Sequence, residues 1–279
     1  MLMQESPERH RCHGLVAGGA GPSHSLTSHP GAGPMAGNRC TLHRSPVWAA
    51  RWLGSGHDED VIREGGSYDV TVTDLDTVLP QLIDAGRQVV ERGLVLASGG
   101  NLSARLDDDT FVVTASGTWL DRLSDSDFSV LSMGGEVVGG NPKPSVEWKL
   151  HDRTYAVRPD VSSVVHLHPQ HALLVDMLGH RIRCTTLDHA YYLDHVARVP
   201  FRPAGSEEIA ELAGQAVADG TNAVVLAHHG CSALGDTVSM ALRRALNLEE
   251  AATMTYRLLL AGDTDTDFPQ EYRGRILSI

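Results

Sequence analysis

The stretch Ser162-Ser163-Val164-Val165-His166-Leu167-His168-Pro169 decides how the chain is read. Val164 and Val165 are apolar and β-branched, and Pro169 cannot donate to a ladder, so a strand over 162–168 is expected to end there. Residues i and i+2 share one face of a strand. His166 and His168 therefore present two imidazoles side by side at a strand end, a pair that suits a borderline ion such as zinc. Taken alone, the pair reads equally well as two solvated histidines. A second run strengthens the metal reading. Ala223-Val224-Val225-Leu226-Ala227-His228-His229-Gly230 is an apolar strand ending in two histidines and a glycine. The carboxyl ends of strands are where α/β folds place their chemistry. Adjacent histidines point in opposite directions, so only one of His228 and His229 is expected to join the pair.

Outward from these strands, helical and strand periods alternate. Asp74 is a natural N-cap for a helix over 75–92, whose apolar positions Val78, Leu82, Ala85, Val89 and Val90 fall near a 3.6 period and which Gly93 stops. Strands over 102–106 and 111–114 flank three aspartates. A hairpin over 128–132 and 136–138 turns at Met133-Gly134-Gly135. Asn141-Pro142-Lys143-Pro144 is a rigid loop, with a helix starting near Ser145. Helices over 169–178, 206–219 and 238–260 complete the pattern. This alternation predicts an α/β fold, a three-layer α/β/α domain around a central mixed or antiparallel sheet, spanning residues 67–279. Residues 1–66 are rich in Gly, Pro, Ser and His without a helical or strand period, and read as a disordered extension.

Composition narrows the function. A net charge of −12 argues against a nucleic-acid partner, which calls for a basic face. No run of 18 apolar residues marks a membrane span. The four cysteines, Cys12, Cys40, Cys184 and Cys231, have no paired spacing, as expected for a cytoplasmic protein. Only two lysines occur, Lys143 and Lys149. A Schiff-base mechanism needs a desolvated lysine, so carbonyl chemistry in this chain is expected to run through a metal.

Three further motifs offer anion-binding or acid–base groups. Ser98-Gly99-Gly100-Asn101-Leu102-Ser103 and Ala115-Ser116-Gly117-Thr118 combine glycines with short polar side chains, as anion nests do. In Pro142-Lys143-Pro144-Ser145-Val146-Glu147-Trp148, Ser145 can cap a helix whose free N–H groups suit a phosphate, and Glu147 falls in the first turn. Each alone is also an ordinary turn or helix start.

Together, SGGNLSARL, VTASGT, KPSVEWKLH, VVHLHP, RPAGSEEIAELA and VVLAHHG, in this order from Asp74 to about Gly262, resemble the class II aldolase/adducin family. The resemblance implies a zinc ion, or another divalent metal ion, held by His166, His168 and His229, with Glu147 as a further ligand and as the catalytic carboxylate. It implies substrate phosphate binding by Asn101, Ser116, Gly117 and Ser145. It implies a catalytic tyrosine in the Asp188–Leu193 region, taken as Tyr191, with Tyr192 the other choice. The substrate would be a phosphorylated sugar or sugar acid and the assembly a homotetramer. The implied reaction is aldol cleavage of a phosphorylated ketose to dihydroxyacetone phosphate and an aldehyde through a metal-stabilised enediolate. Decarboxylation of a 3-oxo-tetronate 4-phosphate, epimerisation and dehydration are the alternatives within the family. An adducin-like interaction module is the non-enzymatic one. Val146 stands where fuculose-type members have a second phosphate-binding serine, and AYYLDHVARVP leans towards the decarboxylating branch.

Overall fold

The computed structural model describes residues 74–276, so the expected extension over 1–66 lies outside the described residues. The chain runs α1 (Leu75–Glu91), β1 (Asn101–Arg105), β2 (Thr110–Thr114), β3 (Phe128–Ser132), β4 (Val137–Gly140), α2 (Trp148–Val157), β5 (Ser163–Leu167), α3 (Gln170–Met177), α4 (Leu187–Tyr192), β6 (Ala197–Val199), α5 (Glu207–Val217), β7 (Ala223–Leu226), β8 (Gly230–Gly235), α6 (Val238–Leu260) and α7 (Gln270–Ile276). The strands form one eight-stranded sheet in the order β4-β3-β2-β1-β5-β8-β7-β6. Only β6 and β7 run parallel; every other pair is antiparallel, so the sheet is mixed, as expected.

Alternation along the strands builds two apolar layers. Leu102, Ala104, Val112, Val165 and Ala233 face α1 and the first half of α6, where they meet Val78, Leu82, Ala85, Val89, Ala241 and Ala245. The alternate residues Phe111, Val113, Val164, Val224, Leu226 and Leu234 face α2 and α5, packing on Leu150, Tyr155, Ile209, Ala213 and Val217. A third cluster seats α3 and the second half of α6 on Ala223, Val225 and Cys231. The result is a helix–sheet–helix sandwich.

Several elements depart from the expectation. Gly230–Gly235, with the sequence GCSALG, forms the buried strand β8 between β5 and β7. Its small residues carry little strand propensity, and the two neighbouring strands supply the pairing that compensates. The short β6 and α4 likewise owe their form to packing. The helix after Ser145 begins at Trp148, with Glu147 as its N-cap residue. Ser145 holds the turn before it, because the Glu147 N–H donates to Ser145 Oγ at 3.3 Å.

Leu82 is fully buried where α1 covers the sheet. Leu82→Ala is expected to cost about 2–5 kcal/mol, read from urea unfolding. A loss below about 1 kcal/mol would mean that α1 is not an integral layer.

Candidate metal centre and catalytic site

Three segments deliver the histidines. His166 lies on β5 and faces α2, like Val164 two residues earlier. His168 follows where Pro169 ends the strand. His229 comes from the three-residue hairpin between β7 and β8, closed by the His229 N–H donating to the Leu226 carbonyl at 3.0 Å. In that hairpin His228 adopts φ +58° and is exposed, whereas His229 is turned inward. The left-handed residue thus decides which of the adjacent histidines joins the pair. The three rings lie 5.0–5.3 Å apart, centre to centre.

Glu147 completes the group. Its Oε1 lies 2.9 Å from His229 Nε2 and its Oε2 3.4 Å from His166 Nε2. One ligand atom from each of Glu147, His166, His168 and His229 lies within 4.8 Å of the others. His166 Nε2 and His168 Nε2 are 3.3 Å apart. Two nitrogens about 2.0–2.1 Å from a tetrahedral zinc would be separated by about 3.3 Å. Ser232, paired with His166 across the sheet, places its Oγ 3.2 Å from His166 Nδ1. With Nδ1–H donating to Ser232 Oγ, the Nε2 lone pair is left for an ion. Glu147 Oε1 is buried without a well-directed hydrogen bond. A buried carboxylate oxygen with no donor, beside three convergent imidazole nitrogens, fits a divalent cation.

The electrostatics agree. Burial pushes His166 down to about 3, against the opposing pull of Glu147, and burial also lowers His168. Neutral imidazoles keep the lone pairs that metal binding requires. Burial by itself would raise the Glu147 carboxyl. The adjacent His166 and His229 rings and the hydrogen bond from Asn101 outweigh it, and the group is held well below the usual carboxylate range.

The phosphate-site residues of the sequence reading divide. Ser116, Gly117 and Ser145 come together: an isolated bridge joins Ala115 to Pro144, Ser116 N–H donates to the Lys143 carbonyl, and Ser145 N–H donates to the Thr114 carbonyl. Ser116 and Gly117 are exposed, and Gly117 has φ +77°. Asn101, by contrast, is 3 % exposed, with its amide directed to Glu147 and His151. The serine of the first nest, Ser103, also points inward. Tyr191 stands apart. It is 44 % exposed on α4, its ring perpendicular to that of Tyr192, and no hydrogen bond or ring contact joins it to the histidine group. His151, Tyr155 and Ser232 escaped the sequence reading, although Glu147, His151 and Tyr155 recur at a four-residue spacing along one helix face.

Gly230 makes the cluster possible. A Cβ there would fall 2.5 Å from the Leu167 carbonyl oxygen and 2.6 Å from His168 Cδ2. Gly230→Ala is expected to lose about 1–3 kcal/mol of stability together with metal occupancy, read from thermal melts and elemental analysis. Unchanged occupancy would show that His168 is not held by this contact.

Residues 80–256 match the model of the class II aldolase and adducin N-terminal domain. A 5-methylthioribulose-1-phosphate/5-deoxyribulose-1-phosphate aldolase of Rhodospirillum rubrum is 34% identical over 197 residues, 70% of this chain and 87% of the relative. A 3-oxo-tetronate 4-phosphate decarboxylase of Haemophilus influenzae is 34% identical over 182 residues, 63% of this chain and 86% of the relative. A solved L-fuculose 1-phosphate aldolase superposes with a TM-score of 0.68 at 26% identity, covering 75% of this chain and 98% of that one. With the family model spanning most of the described fold and the histidine–glutamate cluster in place, the chain belongs to the class II aldolase/adducin family.

Proposed function

We propose that this chain, acting through residues 67–279, is a carbon–carbon lyase that cleaves a phosphorylated ketose to dihydroxyacetone phosphate and an aldehyde. The observation that carries the reading is the Glu147 carboxylate, buried and poorly satisfied at the meeting point of three histidine Nε2 atoms. His166, His168, His229 and Glu147 hold a zinc ion or another divalent metal ion. When bound, the ion supplies Lewis-acid stabilisation of the negative charge that develops on the substrate's carbonyl oxygen. Asn101, Ser116, Gly117 and Ser145 are assigned to the substrate phosphate. In cleavage, the hydroxyl at C4 gives up its proton, the C3–C4 bond breaks, and its electron pair passes towards the C2 carbonyl. Glu147, ionised at rest, takes up a proton from solvent and delivers it to C3. Tyr191 is assigned the C4 hydroxyl proton, which its phenolate accepts in cleavage and its phenol returns to the aldehyde oxygen in the reverse reaction. Tyr191 lies apart from the histidines of its own chain. Its part in the site therefore goes with a homotetramer in which a neighbouring copy contributes it.

A second reading is decarboxylation of a 3-oxo-tetronate 4-phosphate. It is favoured by the Haemophilus influenzae relative and by the AYYLDHVARVP stretch over residues 190–200. The same electron sink serves both reactions, with carbon dioxide the leaving group in the second. The two buried cysteines are free, which accords with a cytoplasmic enzyme. No helix among the described residues is long and apolar enough to cross a membrane.

Purified protein is expected to contain about one divalent ion per chain and to release dihydroxyacetone phosphate from a panel of phosphorylated ketoses in a chelator-sensitive way. Carbon dioxide release from 3-oxo-tetronate phosphates, without ketose cleavage, would establish the second reading. Neither ion nor turnover would leave an interaction module. Glu147→Gln is expected to keep the fold and lose about 10²–10⁴-fold in kcat; near-normal turnover would remove Glu147 from the mechanism. His166→Ala is expected to lower metal content and Tm together, and unchanged metal content would break the assignment of the donor set.

A further inference from the structure

Behind Glu147 a line of buried polar groups runs into the core. Asn101 Nδ2 donates to Glu147 Oε2 at 2.9 Å, and Asn101 Oδ1 lies 2.5 Å from His151 Nε2. His151 Nδ1 lies 2.6 Å from Ser103 Oγ, which lies 2.6 Å from the Tyr155 hydroxyl. Asn101, Ser103, His151 and Tyr155 are each no more than 3 % exposed. Two elements supply the line. Asn101 and Ser103 are i and i+2 on the α2-facing side of β1, and His151 and Tyr155 are i and i+4 on α2.

The carboxylate sets the direction of every bond in the line. A carboxylate only accepts, so the NH₂ side of the Asn101 amide must face Glu147. Its carbonyl oxygen then faces His151 and requires a proton on Nε2. A neutral ring with that proton has a lone pair on Nδ1, which takes the Ser103 hydroxyl proton. Ser103 in turn receives the Tyr155 hydroxyl proton. Burial keeps His151 neutral, lowering it to about 4, and a neutral ring is the form this order needs. The other ring tautomer would set two lone pairs against each other at Asn101. The amide would then flip and turn its oxygen towards the carboxylate.

We propose that His151 is a positioning residue, which acts through Asn101 to hold the Glu147 carboxylate in one orientation at the histidine cluster. The assignment rests on the reading of Glu147 as the proton-transfer group. No hydrogen bond joins His151 directly to Glu147 or to His166, His168 or His229. Its effect on turnover is indirect and separable from its packing.

The test compares His151→Leu, which keeps bulk but removes both ring nitrogens, with His151→Gln, which can still donate an N–H towards Asn101. His151→Leu is expected to lower kcat about 10–100-fold, with KM and zinc content near wild type. His151→Gln is expected to recover most of that loss. Equal losses in the two variants, or a loss carried in KM or zinc content, would mark a purely structural residue and overturn the proposal. Should His151→Leu fail to fold, Ser103→Ala frees the ring to change tautomer with little change in volume, and it is expected to lower kcat in the same direction; wild-type turnover there counts against the relay. A readout independent of turnover is the ¹⁵N-histidine spectrum of the metal-free protein. His151 is expected as the Nε2–H tautomer with a slowly exchanging ring proton, and an Nδ1–H tautomer or a charged ring overturns the proposal. Full activity of His151→Leu beside an inactive Glu147→Gln sinks the relay alone. An active Glu147→Gln sinks the reading of Glu147 and the relay with it.

Discussion

One buried carboxylate constrains much of this molecule. Glu147 is 7 % exposed. An ionised carboxylate so far from water is stable only if its oxygens are satisfied by donors or cations. One oxygen has the Asn101 amide; the other is left facing imidazole nitrogens. That imbalance is what makes the cluster a place for a cation rather than a closed ion-pair network. It also explains why polar residues occupy what would otherwise be apolar positions on the α2-facing side of β1, β5 and β8. Asn101, Ser103, His166 and Ser232 each either serve the cluster or satisfy a group that does.

The sheet order converts this local need into a defined site. β1, β5 and β8 are neighbours, with Asn101 opposite His166 and His166 opposite Ser232. A tight hairpin from β7 to β8 brings His229 back over the same end of the sheet. The backbones approach closely enough only because Gly100 and Gly230 lack a Cβ. At Gly100 a Cβ would lie 2.7 Å from the His166 carbonyl oxygen, in a backbone that already has φ +74°. The apolar layers on both faces hold these strands in register. A ligand set drawn from three separate segments therefore needs no flexible loop to assemble it.

Much of this was legible before any coordinates. The period of α1, the β3–β4 hairpin and the long α6 follow from hydrophobic spacing. The HxH strand follows from two β-branched residues and a terminating proline. The resemblance implies that Asn101 binds the substrate phosphate. In the structure its amide is directed to Glu147 and His151, because the strand begins at Asn101 and aims the side chain into the core. No strand is expected at β8, because GCSALG has no apolar alternation and becomes a strand only between two partners. The resemblance implies a catalytic tyrosine, Tyr191 or Tyr192, and nothing local to α4 says what either faces.

By itself the sequence determined which residue types were available for chemistry: three histidines at strand ends, a carboxylate at a helix start, and too few lysines for an imine route. These are local properties, carried by spacing and by the periods of strand and helix. Only the tertiary structure decided which of them meet. Whether His228 or His229 turns inward depends on one left-handed residue in a hairpin that closes only when β8 pairs with both neighbours. That His151 and Ser103 stand behind Glu147 depends on laying α2 across β1, a contact between residues about fifty positions apart. No local rule contains a pairing over that distance. It is imposed by the burial of two apolar faces, and the polar line between them takes the one hydrogen-bond order that the carboxylate allows.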